Sequence, residues 1–320
     1  MLTAISPEDY AREVLPESFA LWGARRSFER YVGDFFAVAG SAYGKRRQFT
    51  VGVRASERIV CSCKLYDREL RWGEKRLRAT GIGAVFTHPA ERGRGYASAM
   101  LGELLDEERA AGCDLAFLFS DIHPAFYGKL GFVGLPSRVL TLRAASLDGS
   151  PAGGVPPEPR DWAAIRRCFD ALESQRAWAL RRTPLVWDWM RLKWDAPADE
   201  GTQPVALAVR RGREVAAYAF GRRVLGADTF VLDDFAFAGD EGRALLPALV
   251  RAGAGDLRRV SGWLPPPFAR EALPRGSVRA RKSAFLMLVP LSQLARHWWK
   301  AAGEETLAAH WDAVWAADHL

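Results

Sequence analysis

Between Thr80 and Pro136 the chain reads TGIGAVFTHPAERGRGYASAMLGELLDEERAAGCDLAFLFSDIHPAFYGKLGFVGLP, and here lie the residues best suited to chemistry. The segment Arg92-Gly93-Arg94-Gly95-Tyr96-Ala97 sets two glycines and two arginines where a strand-like run gives way to a helix-like one. Glycines at such a turn let backbone N–H groups close on an anion, and the helix start adds the positive end of its dipole. Arginine suits phosphate geometry. The pattern is a phosphate cradle, and a solvated arginine surface is the plainer reading of the same charges. His88 and His123 each precede a proline at an element boundary, which marks them as turn-capping or exposed rather than as bases. Cys61, Cys63, Cys113 and Cys168 form no CxxC pair and no Cys/His cluster at zinc spacing, so they read as buried structural thiols.

The elements that must position the cradle follow from periodicity. Ser6 before Pro7 marks a helix start, and a second helix is expected from about Glu17 to Val38. Three strand candidates, Gln48–Arg54, Arg58–Tyr66 and Arg76–Thr87, are joined by short polar turns, which is an antiparallel meander. Helix Tyr96–Ala111 carries Met100, Leu101, Leu104 and Leu105 on one face; strand Leu115–Phe119, a short helix around Pro124–Leu130 and strand Arg138–Arg143 complete the first half.

Residues 146–159 are small, Gly- and Pro-rich and read as a linker. It separates a first domain, 1–145, from a second, 160–291, followed by a tail, 292–320, containing Trp298, Trp299, Trp311 and Trp315 and expected to be helical. The order of elements in 160–291 repeats that of the first half, but AGDEGRA stands where the first half has RGRGYA. Asp240 and Glu241 would repel a pyrophosphate, so the second half reads as a duplicate without the anion site. At 320 residues, two domains are the expectation.

Charge narrows the function classes. The formal net charge is +7, yet residues 1–145 hold 21 Lys/Arg against 17 Asp/Glu and the remainder 24 against 21. Such even spreading argues against a nucleic-acid-binding arm. No apolar run reaches the roughly 18 residues of a membrane span, and the first residues do not resemble a signal peptide. The expectation is a cytoplasmic protein with no nucleic-acid or membrane partner. The sequence leaves the oligomeric state open.

As GxGxx(G/A), the turn gives Gly93 and Gly95 but Ser98 at the third position, and Asp114 falls near the acidic position of dinucleotide folds. The tight hairpins before it leave no room for the crossover helices that fold requires. The other pattern, Arg/Gln-x-x-Gly-x-Gly/Ala, is matched by Arg92 through Ala97. With VFTHP before it and FYGKLGF after it, residues 1–145 resemble the GCN5-related N-acetyltransferase (GNAT) superfamily. The tandem layout, active domain then degenerate one, is similar to fungal lysine N6-acetyltransferases and to mycobacterial enhanced-intracellular-survival acetyltransferases.

The resemblance implies an α/β fold of two GNAT-like domains, each a mixed, mainly antiparallel sheet flanked by helices. It implies transfer of an acetyl group from acetyl-CoA to a primary amine of a small molecule: an amino acid such as lysine, a polyamine or an aminoglycoside. Val85, Phe86 and Thr87 would run beside the pantetheine arm, while Arg92, Gly93, Arg94, Gly95, Tyr96, Ala97 and Ser98 would hold the pyrophosphate. Tyr127 matches the family tyrosine that protonates the leaving thiolate; a phenol of pKa about 10 suits a thiolate of pKa about 8.5. A core aromatic is its plainer reading. No Glu lies between Arg76 and Pro89, which leaves Asp121 as the nearest general base, with helix capping as its equal alternative. The Trp-rich segment Trp178, Trp187, Trp189 and Trp194 reads as core packing before pocket lining. Two other functions stay open in the sequence: a CoA-binding protein without turnover, and a dinucleotide-dependent oxidoreductase. So does the question of whether the second half or the residues Asp318-His319-Leu320 reach the site.

Overall fold

The computed structural model describes residues 1–24, 26–150, 153–195, 201–302 and 314–320; Trp311 lies outside the described residues. The strands are β1 (Thr3–Ala4), β2 (Gln48–Ala55), β3 (Arg58–Trp72), β4 (Lys75–Thr87), β5 (Leu115–Ser120), β6 (Val133–Gly134) and β7 (Arg138–Arg143). They continue as β8 (Trp178–Leu180), β9 (Thr202–Arg211), β10 (Glu214–Val224), β11 (Thr229–Phe237), β12 (Arg259–Trp263), β13 (Ser277–Ala280) and β14 (Phe285–Pro290).

Two mixed sheets form. One runs β1-β2-β3-β4-β5-β14-β6 with β8 added to β3, and the other runs β13-β7-β12-β11-β10-β9. Among the described residues all pairings of these strands are antiparallel except β4 with β5 and β11 with β12. The sheets therefore exchange strands: β7 leaves the first half to pair with β12 and β13, and β14 returns from the second half to lie between β5 and β6. The boundary at residue 145 thus divides the sequence but not the sheets. At the crossing, Leu135 N–H donates to the Leu286 carbonyl at 2.9 Å and Leu286 N–H donates to Ser137 Oγ at 3.0 Å. Pro136 between them needs no donor partner.

The expected helix Glu17–Val38 is broken. Helices span Leu15–Trp22 and Phe28–Gly40, because Ala24 takes φ +53° and Ser27 caps the second one, its Oγ accepting from Arg30 N–H at 3.2 Å. Helix Tyr96–Ala110 buries Met100, Leu101, Leu104 and Leu105 on the first sheet, at roughly 1.5–3 kcal/mol for each large side chain. Helix Gly239–Ala254 occupies the same place on the second sheet, after β11 and before β12.

Residues 314–320 join the two sheets. Trp315 packs edge-on against Phe235 of β11 at 4.9 Å and donates from Nε1 to Glu173 Oε1 at 3.1 Å. Asp318, in the turn Ala316–Asp318, is buried between Arg68 of β3 (2.7 Å) and Arg182 (2.8 Å). Arg182 also forks onto Asp234 of β11 at 2.8 and 3.1 Å, and Tyr218 donates its hydroxyl to Asp234 at 2.9 Å. Two guanidinium groups thus meet two carboxylates away from water, and each charge bonds an opposite one, although Arg68 Nε and Nη1 are buried with no partner among the described residues.

Candidate active site

The first sheet opens where the sequence places the chemistry. Pairing of β4 with β5 runs from Ala79↔Leu115 to Ile82↔Leu118 and ends there. On its other side β4 stays paired with β3, but Ser62 faces Phe86 while Lys64 faces Gly83, so Ala84 and Val85 share the single residue Cys63. Ala84 takes φ +46° to make this bulge, a conformation that costs an L-residue roughly 1–2 kcal/mol. From the bulge onward, Val85 to Thr87 present a backbone edge that no strand among the described residues covers on the β5 side. The result is a wedge between two parallel strands, one edge of which leads straight into the glycine turn.

That turn is built for close approach. Gly93 and Gly95 adopt φ +77° and +84°, and no atom lies within 4 Å of where a Cβ would stand on either. Gly95 is the N-cap of Tyr96–Ala110 and supplies no side-chain hydrogen bond, so the first N–H groups of the helix are left to an outside partner. Arg92 and Arg94 are exposed; Arg92 Nε donates to the Thr87 carbonyl at 3.3 Å, and Arg94 is held by Glu91 at 2.5 Å. Ser98 is exposed on the first turn, whereas Tyr96 and Ala97 pack partly on the core. Phe86 is buried beside Trp22 at 6.4 Å, so only its backbone faces the wedge.

Tyr127 lies on the short helix Ala125–Gly128, buried with Cys63, Ile82 and Leu118, the residues that frame the closed end of the wedge. Phe126 and Phe132 pack edge-on against it at 4.9 and 5.9 Å. Burial pushes its phenol up to about 12, with Cys63 and Asp121 adding smaller raises, so it holds its proton throughout the neutral range. Its hydroxyl makes no hydrogen bond among the described residues. Asp121 does not cap that helix. Its Oδ1 accepts from Ala284 N–H at 2.8 Å at the entry to β14, and the residue is exposed. His88 and His123 each accept a backbone N–H through Nδ1, from Ala90 at 3.3 Å and Ala125 at 3.2 Å, and so cap turns.

The second sheet repeats the opening and fills it. Pairing of β11 with β12 stops at Leu232↔Gly262, and the register with β10 slips at Asp233. Here Val314, Trp315 and Ala316 sit against Leu232 to Phe235, Trp263 and Leu264, leaving only a narrow gap. Helix Gly239–Ala254 begins with Asp240 and Glu241 in its first turn. The chain's own tail thus occupies the second wedge, then continues into the first domain. Leu320 lies so close over β4 that a Cβ on Gly81 would stand 2.6 Å from its Cδ1, and one on Gly83 3.4 Å from its Cβ. His319 packs between Phe119 (5.1 Å) and Trp263 (5.8 Å), where burial draws it down to about 4 and keeps it neutral.

A cavity of about 670 Å³ opens beside this junction, between the helices of residues 15–38, β3, the helix Pro184–Asp195 and β9 to β11. Lys64, Tyr66 and Leu320 form its wall on the β4 side. Trp189 and Trp194 line it, while Trp178 and Trp187 are buried in the core, so the Trp-rich segment divides between the two uses. Lys64 is the wall residue that the sequence did not single out, whereas His319 and Leu320 answer a question that the sequence leaves open. The signals were a lone lysine in the apolar run IVCSCKLY and the pair Gly81/Gly83 on one face of a strand, which marks close approach.

Residues 12–134 match the family described as acetyltransferase (GNAT) domain. Over these residues the chain is similar to that family. The whole chain is similar in fold to a GCN5-related N-acetyltransferase from Anabaena variabilis ATCC 29413, at TM-score 0.69 and 16% identity, over 92% of this chain and 74% of that one. Eis1 from Mycobacterium abscessus gives a TM-score of 0.55 at 15% identity, over 91% and 74%. A tandem GNAT protein from the clavulanic acid biosynthesis pathway gives 0.52 at 12%, over 91% and 98%. No curated protein matches the sequence. The similarity in fold therefore extends past the matched residues, over a second sheet whose wedge is plugged. No helix among the described residues is long and apolar enough to cross a membrane.

Proposed function

We propose that the chain is an N-acetyltransferase that moves an acetyl group from acetyl-CoA to a primary amine of a small molecule. The observation that carries this is the continuity of the β4 edge, through the bulge at Ala84, into the uncapped two-glycine helix start. An extended chain ending in a pyrophosphate fits that path. Acetyl-CoA supplies an activated acyl carbonyl as a thioester. The edge Val85–Thr87 offers it backbone pairing, and the N–H groups from Gly93 to Ala97, with Arg92, Arg94 and Ser98 beside them, meet its phosphates.

The acceptor enters from the 670 Å³ cavity, on the face of β4 where Gly83 and Leu320 lie. Its amine attacks directly, without a covalent enzyme intermediate. Tyr127 keeps its proton at neutral pH and releases it to the leaving sulfur, whose negative charge a buried site would otherwise have to hold. Asp121, exposed and close enough to influence both Tyr127 and His319, takes the proton from the amine through water. A CoA-binding protein without turnover uses the same wedge and differs only in chemistry. The dinucleotide reading is disfavoured by the antiparallel β2-β3-β4 meander. Thiol release from acetyl-CoA with a panel of amines tests the proposal: amine-dependent release is expected, and tight CoA binding with no release on any amine would replace it with the binding-only reading.

A further inference from the structure

We infer that the acceptor is an amine that also carries an anionic group, and that Lys64 reads that group. This rests on the acyl-transfer reading and narrows its acceptor. The cavity wall carries five cations, Arg26, Arg30, Lys64, Lys193 and Arg222, against two carboxylates, Asp34 and Asp233. The carboxylates are spent within the wall. Asp34 lies 3.2 Å from Arg26 and 4.0 Å from Arg30, and Asp233 lies 3.4 Å from Arg222. Lys193 is tied to the carbonyls of Ala317 and His319. Even with a further carboxylate at Leu320, the balance stays cationic.

Lys64 is the cation of the five that has no ion pair or hydrogen bond among the described residues. Its ammonium stands over the rings of Phe35 at 4.6 Å and Tyr10 at 5.0 Å, and makes no hydrogen bond among the described residues. Aromatic faces stabilise a cation without using its donors. Lys64 faces Gly83 across the ladder, one residue before the bulge at Ala84, so its stem rises beside the proposed reaction centre. Burial lowers it to about 8 with no acid to offset this, which is the state of a charge awaiting a counter-ion. A carboxylate or phosphate on the acceptor would fill three empty donors. A polycation such as an aminoglycoside or polyamine would add its charge to an excess already present.

The test is an acceptor panel at pH 7 built on pairs that differ in the anion: lysine with cadaverine, and glucosamine 6-phosphate with glucosamine, plus spermidine and kanamycin. The anionic member of at least one pair is expected to exceed its counterpart at least tenfold in kcat/KM, and which pair responds distinguishes carboxylate from phosphate. In K64M that ratio should collapse toward one through KM, with CoA affinity kept; K64R should retain it. Equal or better turnover of cadaverine, spermidine or kanamycin overturns the inference, as does an unchanged ratio in folded K64M. Absence of thiol release on every amine while CoA binds would overturn the acyl-transfer reading, and this inference with it.

Discussion

Asp318 accepts a hydrogen bond from Arg68 at 2.7 Å, and both side chains are buried. One residue belongs to the tail and the other to β3, so this contact fastens the segment that plugs the second wedge to the sheet that bears the first. Arg182 completes the joint by holding Asp318 and Asp234 together.

Asp318→Asn leaves two buried guanidinium groups facing one carboxylate. A loss of about 3–5 kcal/mol in unfolding free energy is expected by denaturant titration, the range for breaking a buried pair. The same contact sets an acid limit. Despite the cost of burial, Arg182 and Arg68 pull Asp318 down to about 2, below its ordinary 3.8. The folded state therefore binds this proton less readily than the unfolded one. Its stabilisation is complete above the ordinary value and is lost as pH falls from about 4 toward 2.

Gly95→Val forces a β-branched residue into φ +84° and points a side chain into the open cradle. Losing two charge-assisted N–H contacts, at about 1.5 kcal/mol each, weakens binding about 100-fold. Titration calorimetry with CoA should show this while the circular dichroism spectrum stays that of the parent. Retained affinity would remove the turn from the account.

Tyr127→Phe keeps the ring packing against Phe126 and Phe132 and deletes only the hydroxyl. The expected result is a fall in kcat of about 10²- to 10⁴-fold, the range for a positioned acid, with CoA affinity nearly unchanged. Because burial lifts this phenol to about 12, its ionisation should put no alkaline break in the wild-type pH–rate profile below pH 10. An unaltered rate in the variant assigns Tyr127 to packing alone.

Lys64 predicts a pH dependence of a different kind. Its ammonium titrates near 8, so KM for an anionic acceptor should rise as pH passes upward through that value, and K64M should show no such rise. Stability moves the other way. The unfolded chain holds this proton to an ordinary value of 10.5, the folded chain only to about 8, so Lys64 makes stability increase with pH between the two.

The glycine turn was legible because its signal is local: two glycines, two arginines and a helix start within six residues. The antiparallel meander was legible for the same reason, since tight turns fix neighbouring strands. The exchange of β7 and β14 was not. Each alternates apolar residues in the way either sheet would accept, and only the crossing at Pro136 and Ser137 decides between them. Asp121 shows the limit from the other side: its proximity to β5 suggested a base or a helix cap, whereas its partner, Ala284, lies far along the chain and enters only because β14 returns. Lys64 and Leu320 reach the cavity wall through long-range packing, of which the sequence shows only a lone lysine in an apolar run and the pair Gly81/Gly83. The break near Ala24 needed a positive φ that alanine does not announce.

The central claim is that the first wedge, and not the second, holds acetyl-CoA for transfer to an amine. Its most direct measurement is thiol release from acetyl-CoA in the presence of the amine panel, run on the wild-type chain beside Gly95→Val and Tyr127→Phe. Amine-dependent release by the wild type is expected, with its loss in Gly95→Val through CoA affinity and in Tyr127→Phe through kcat. Release that persists in both variants, or CoA binding with no release on any amine, would contradict it.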